Sequence, residues 1–139
     1  MENRLVIYTD GGSRGNPGPA AIGVLINKGD SYYEAIGETT NNVAEYKAII
    51  FALRKVKSLI GGEKALETEV EVRSDSELVA NQLNGTYKIK DEDLKPLFIE
   101  VWNLKQDFKK INFKHIPREQ NTRANFLVNK ELNSQNSLF

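Results

Sequence analysis

The residue order predicts an α/β fold built on a five-stranded mixed sheet, and two observations carry that expectation. Extended and helical patterns alternate as β-β-β-α-β-α-α-β-α, which gives three antiparallel strands followed by two that need parallel crossovers. Two of the strand patterns also end on an aspartate, Asp10 and Asp75, at the sheet edge where open α/β folds bind ligands.

The first strand is Leu5 to Thr9, a β-branched and aromatic run closed by Asp10 and Gly11-Gly12. Gly15-Asn16-Pro17-Gly18-Pro19 is dense turn chemistry. Ala21 to Ile26 and Ser31 to Ile36 form a hairpin around Lys28-Gly29-Asp30. A helix over 43–60 follows, with Ile49, Ala52, Leu53, Val56, Leu59 and Ile60 spaced at three and four and Gly61-Gly62 as its stop. Thr68 to Ser74 alternates as a strand and ends on Asp75. Helices are expected from Ser76 to Leu83 and from Leu94 to Phe108. A last strand spans Ile111 to Ile116, broken by Pro117, and a final helix starts near Asn121 and fades at Asn133-Ser134-Gln135. The pattern holds no repeat or linker, so residues 1–139 read as a single domain.

Composition narrows the chemistry. The absence of cysteine excludes disulfides, thiolate metal sites and cysteine nucleophiles, and His115 is the sole histidine, which excludes a His-rich zinc site. A metal here would be held by oxygen, which suits Mg²⁺ or Mn²⁺. No apolar run approaches the ~20 residues of a membrane span and no signal-peptide pattern is present, so a soluble cytoplasmic protein is expected. Net charge is zero, from 19 basic and 19 acidic residues, unlike a nucleic-acid coat protein. Residues 86–118 nevertheless hold eight Lys/Arg against five Asp/Glu. Lys88, Lys90, Lys109, Lys110, Lys114 and Arg118 could meet phosphates or form a solvated face.

Glu45 joins the two strand-end aspartates as a candidate ligand. It lies on the same helical stripe as Ile49, Ala52, Leu53 and Val56, and a carboxylate facing a core needs a partner or a metal. A capping box with Asn42 as N-cap is the other reading, but capping alone does not account for an acid that faces inward. Three carboxylates converging at a sheet edge describe a Mg²⁺ site that handles phosphates. Gly11 to Pro19 lacks the spacing of a P-loop; so many glycines suit close approach to a large ligand.

Four segments resemble the signatures of type 1 ribonucleases H. They are Tyr8-Thr9-Asp10-Gly11-Gly12-Ser13 with Gly15 to Pro19, Thr39 to Glu45, Ser74-Asp75-Ser76, and Pro117 to Ala124, in family order across essentially the whole chain. The resemblance implies a ribonuclease H-like fold with helices on both sheet faces. It implies two Mg²⁺ ions, replaceable by Mn²⁺, held by four acids, of which Asp10, Glu45 and Asp75 match. It also implies cleavage of the RNA strand of RNA–DNA hybrids, giving 5′-phosphate and 3′-hydroxyl ends. Gly11, Gly12, Ser13, Asn16, Thr40, Asn41, Asn42, Asn81 and Arg118 are the implied substrate contacts. Among them, Asn16, Asn41 and Asn42 would lie along the minor groove and Thr40 near a DNA-strand phosphate.

The chain departs from the family at three places. Asn125 stands at the fourth acid position, which keeps the side-chain shape but removes a charge and a hard oxygen ligand. It is expected to face the other acids from a stripe of Asn121, Asn125, Val128 and Leu132, and to impair cleavage. Glu119 occupies roughly the place of a catalytic histidine, and His115, inside the last strand, reads as structural. The basic protrusion of some relatives is reduced to a short helix with Trp102 and scattered lysines. A catalytically silent hybrid-binding module is therefore the alternative reading; a transposase-like core and a small-molecule phosphatase are weaker ones. A monomer with no evident protein partner is expected.

Overall fold

The structure is a computed structural model that describes residues 4–27 and 29–136, so Lys28 of the hairpin turn lies outside the described residues. Strands β1 (Arg4–Ser13), β2 (Gly18–Ile26) and β3 (Asp30–Thr39) lead to α1 (Asn41–Ile60) and a one-turn α2 (Gly62–Ala65). Then come β4 (Glu69–Ser74), α3 (Glu77–Leu83), α4 (Lys95–Lys105), β5 (Lys110–His115), a 3₁₀ turn at Arg118–Gln120, and α5 (Thr122–Asn136).

The sheet order is β3-β2-β1-β4-β5. β1 pairs antiparallel with β2 and parallel with β4, and β5 adds in parallel outside β4. The mixed five-stranded sheet is the one expected. Its register matters for the site: Thr9 lies opposite Ser74, so Asp10 and Asp75 leave neighbouring strands side by side.

The hairpin strands run further than their apolar patterns suggested. β2 begins at Gly18 and β3 continues to Thr39, because ladder pairing carries through Gly18–Thr39 and Pro19–Glu38 beyond the hydrophobic run. That extension moves the start of α1. Thr40, in extended conformation, is its N-cap, and its Oγ1 accepts from Val43 N–H at 3.3 Å. Asn42 is therefore a first-turn residue, and the expected capping box with Asn42 is replaced by a Thr40 cap. Gly61 closes the helix at φ 86, where its N–H donates to the Lys57 carbonyl. In α4 the helix stops at Lys105, three residues short of the expected end, with N–H groups of Gln106, Asp107 and Phe108 bonding three residues back. α5 instead runs through the polar segment 133–136.

Helices cover both faces. On one, α1 buries Tyr46, Ile49, Leu53 and Val56 against Ile7 and Val24 and against Val70 and Val72 of β4. α4 adds Val101 to the same core. On the other, α5 sets Val128 and Leu132 on Ala21. Gly23 is what lets α5 approach: a Cβ there would fall 2.6 Å from the Ala124 carbonyl oxygen. Among the described residues, no helix is long and apolar enough to cross a membrane.

Candidate metal and active site

Three carboxylates meet where the β1–β4 pairing ends; β1 itself does not stop at Asp10, as its apolar pattern suggested, but runs on to Ser13 because pairing with β2 continues. One oxygen each from Asp10, Glu45 and Asp75 lies within 4.8 Å of the others. Asp10 and Asp75 are delivered by adjacent parallel strands, and Glu45 by the first turns of α1, whose buried stripe it shares. The approach of α1 to β1 is unusually close, since a Cβ on Gly11 would sit 2.2 Å from the Ala44 carbonyl carbon. That contact brings the Gly11 N–H onto the Glu45 carboxylate as a donor, at 2.5 Å. The inward orientation of Glu45 thus has a cause in the glycine opposite it.

The cluster is electrostatically overloaded. Burial, then the charge of Asp75, pushes the Asp10 carboxyl from 3.8 up to about 7, against the opposing influence of Glu45 hydrogen bonding and Arg118. Glu45 is raised well above its ordinary 4.5, by burial first and then by Asp10. Asp10 and Glu45, both raised, would be relieved by a cation. Two further observations fit that demand: the buried oxygens Asp75 Oδ2 and Asn125 Oδ1 receive no hydrogen bond. Acceptor oxygens without donors, in a set lacking soft ligands, match a hard divalent ion.

Position 125 lies on α5, one turn after Asn121. Asn121, Asn125, Val128 and Leu132 are all buried, as the stripe required. Asn121 donates its Nδ2–H to the Thr9 carbonyl at 2.9 Å, and Val128 Cγ1 lies 3.5 Å from where a Gly12 Cβ would be. Asn125, between them on the helix, is thereby held alongside the β1 segment that carries Asp10.

The remaining candidates flank this edge. Asn16 Oδ1 accepts from the Asn41 N–H at 3.0 Å, and Asn41 Oδ1 accepts from the Ser13 N–H at 2.9 Å. Ser13, Asn16 and Asn41 therefore form one network joining the glycine-rich turn to the start of α1. Gly12 adjoins it: a Cβ there would be 3.9 Å from Asn41 Oδ1. Asn42 lines a cavity of about 530 Å³ with Thr86, Tyr87, Lys88 and Lys90. Asn81 instead ties down the turn after α3, its Oδ1 accepting from Thr86 Oγ1. Arg118 and Glu119 are exposed on the 3₁₀ turn, Arg118 near enough to bear on Asp10. Lys109, Lys110 and Lys114 are exposed at or along edge strand β5, so the basic stretch divides between that edge and the Lys88–Lys90 cavity. The Asn121–Thr9 bond is the feature sequence reasoning missed; an amide at the start of a buried helix stripe was its signal.

Solved structures share this architecture. A ribonuclease H1 isolated from compost, solved in complex with RNA/DNA hybrid, is 48% identical with a TM-score of 0.84, covering 91% of this chain and 94% of that one. Ribonuclease H1 of the halophilic archaeon Halobacterium salinarum is 36% identical with a TM-score of 0.86, covering 94% and 98%. Sheet order and neighbours together define a ribonuclease H fold. A family described as reverse transcriptase-like matches residues 8–131, and the chain belongs to it. Among relatives, a bifunctional protein of Mycobacterium tuberculosis is 39% identical over 137 residues, 94% of this chain. Ribonuclease HI of Halobacterium salinarum is 40% identical over 134 residues, 93% of this chain. The chain spans 36% of the mycobacterial protein's length and 64% of the Halobacterium protein's.

Proposed function

We propose that the chain is a metal-dependent endonuclease that cuts the RNA strand of RNA–DNA hybrids, weakened by Asn125. The observation that carries this reading is the Asp10–Glu45–Asp75 cluster, with ligand oxygens within 4.8 Å. The hybrid bound by the compost enzyme, 48% identical, supports the choice of substrate.

Asp10, Glu45 and Asp75 would hold Mg²⁺ or Mn²⁺, with position 125 as the fourth ligand. Two such ions would activate a water for in-line attack and stabilise the departing 3′ oxygen, leaving a 5′-phosphate. The chain's own residues prepare the rest. Gly11 N–H fixes one Glu45 oxygen. Asn16 and Asn41 have their oxygens engaged within the protein, so these exposed side chains offer Nδ2 donors to a ligand. Donors suit the acceptors of a minor groove, namely 2′-hydroxyl oxygens and the N3 and O2 atoms of bases. Thr40 Oγ1 accepts within its cap, which leaves its hydrogen for a DNA-strand phosphate.

Asn125 favours a second reading, a hybrid-binding module without turnover. One assay separates the two: cleavage of labelled hybrid in Mg²⁺ and Mn²⁺ by this chain and by Asn125→Asp. The carboxylate should raise the Mg²⁺-dependent rate at least ~10²-fold, worth ~2.7 kcal/mol in the barrier. A rate within about twofold, ~0.4 kcal/mol, removes position 125 from the ligand set. Hybrid binding with no cleavage by either protein selects the silent module. Asp10→Asn should abolish both metal binding and residual cleavage, and retention of both would overturn the assignment.

A further inference from the structure

We infer that Asn121 is a positioning residue for the metal site, an inference that rests on the functional reading above. Its side chain is 1% exposed, as deep as the largest core residues, on a helix start where an apolar group would pack without hydrogen-bond demands. Its Nδ2 donates to the Thr9 carbonyl across 112 residues of chain. Its Oδ1 is buried and receives no hydrogen bond. A buried amide satisfied at only one end is costly to keep, so the one bond it makes is what distinguishes it from a leucine.

That bond falls at a sensitive place. The Thr9 carbonyl and the Asp10 N–H belong to one planar peptide unit, so the clamp fixes the plane from which the Asp10 side chain departs. At its other end, the Asn121 carbonyl accepts the Asn125 N–H at 3.0 Å, the first turn of α5. One residue therefore links two ligand positions on elements far apart in sequence, by its backbone to α5 and by its side chain to β1, and the side-chain bond is the part that depends on the amide. The apolar anchorage of α5 is smaller than that of α1: Ala124, Leu127, Val128 and Leu132 are its buried apolar side chains, and the cluster it forms with the sheet is Ala21, Val128 and Leu132. Metal sites tolerate little looseness, because ligand geometry must hold to about 0.5 Å.

The molecule contains a more exposed bond of the same chemistry for comparison. Asn84 donates its Nδ2–H to the Phe113 carbonyl at 2.9 Å, the same bond between a helix end and a strand, but on β5. The test compares Asn121→Ala, Asn121→Leu and Asn84→Ala, each in the Asn125→Asp chain, at temperatures where circular dichroism shows them folded. For Asn121→Leu, which keeps volume and removes the orphaned acceptor, stability should be retained. Its Mg²⁺ half-saturation should rise at least fivefold and kcat should fall at least tenfold, with KM for hybrid within twofold. Mn²⁺ affinity by calorimetry should weaken in parallel. Asn84→Ala should lower the melting temperature and leave Mg²⁺ dependence and kcat unchanged. Unaltered metal dependence in Asn121→Leu, or equal effects from Asn84→Ala, would overturn the inference, as would failure of both Asn121 variants to fold. Should the Asn125→Asp chain cleave no hybrid, the functional reading fails and Mn²⁺ affinity alone decides: weakened binding in Asn121→Leu upholds the clamp, unchanged binding removes it.

Discussion

On one face of the sheet, α1 presses Tyr46, Ile49, Leu53 and Val56 into a core that extends to α4 and β5. On the other, α5 rests on Ala21 and Gly23 with Val128 and Leu132, and is tied by the amide of Asn121. Each face delivers one proposed ligand position to the same edge, Glu45 from the first and Asn125 from the second. The first is located by bulk: many apolar side chains fix α1, and Glu45 inherits the position. The second is located by close backbone approach and one hydrogen bond, so stability and ligand placement are separable there. Large cores define where a helix lies; small contacts with polar pins define how precisely its side chains meet a neighbour.

The largest effect expected from disturbing this contrast is on the bulky face. Leu53→Ala removes a fully buried side chain from α1 and should cost about 3–5 kcal/mol in urea unfolding. In the molecules that remain folded, metal dependence should change little. Loss of Mg²⁺ binding out of proportion to the folded fraction would mean that the α1 core, too, tunes the site.

Gly23→Ala should do the reverse. The new methyl would meet Ala124 O at 2.6 Å and Leu127 Cβ at 2.9 Å, so α5 must lift. The stability cost should be smaller, ~1–3 kcal/mol, as for other overpacked sites. Cleavage by the Asn125→Asp chain should nevertheless fall more than tenfold while still folded. A chain that loses stability but keeps its rate would erase the distinction between the faces.

The smallest effect concerns pH. Asp10 and Glu45 are both raised in the folded protein, so folding favours their protonated forms. Their contribution is fully present below the ordinary carboxylate range and is lost as pH rises toward about 7, the Asp10 value. Glu71, lowered by Arg73 despite burial, contributes in the opposite sense. A net fall in stability is expected between pH 4 and pH 7 without metal, measured by denaturant titration. Asp10→Asn should flatten the slope, and Mg²⁺ should reverse it by favouring the ionised acids. A metal-free stability that climbs steadily to pH 7 in both proteins would contradict the raised acids.

The sheet and the three-acid cluster were legible because local signals agree with the fold. Strand patterns ending on Asp10 and Asp75, and a helical stripe containing Glu45, each point to the same edge. Boundaries were less legible, since the ladder through Gly18 and Pro19 is imposed by β3 and not by their own preferences. The N-cap shifted to Thr40 for the same reason. Asn121 was visible as part of a buried stripe, but its partner is Thr9, and a bond spanning 112 residues leaves no local trace. Ser13, Asn16 and Asn41 were read as separate turn and groove residues; only the close packing of the glycine turn against α1 joins them.

β1 has antiparallel β2 on one side and parallel β4 on the other, which gives the site a history during synthesis. A ribosome releasing this chain would supply the β1–β2–β3 meander and α1 early, bringing Asp10 and Glu45 together through local pairings. Asp75 can join only when β4 docks along β1, some 65 residues later, and position 125 only when α5 emerges. Long-range pairings of this kind form late, because loop closure precedes any gain from contact. No N-terminal piece that stops short of α5 carries the whole constellation, so the proposed site stays incomplete until α5 has been made.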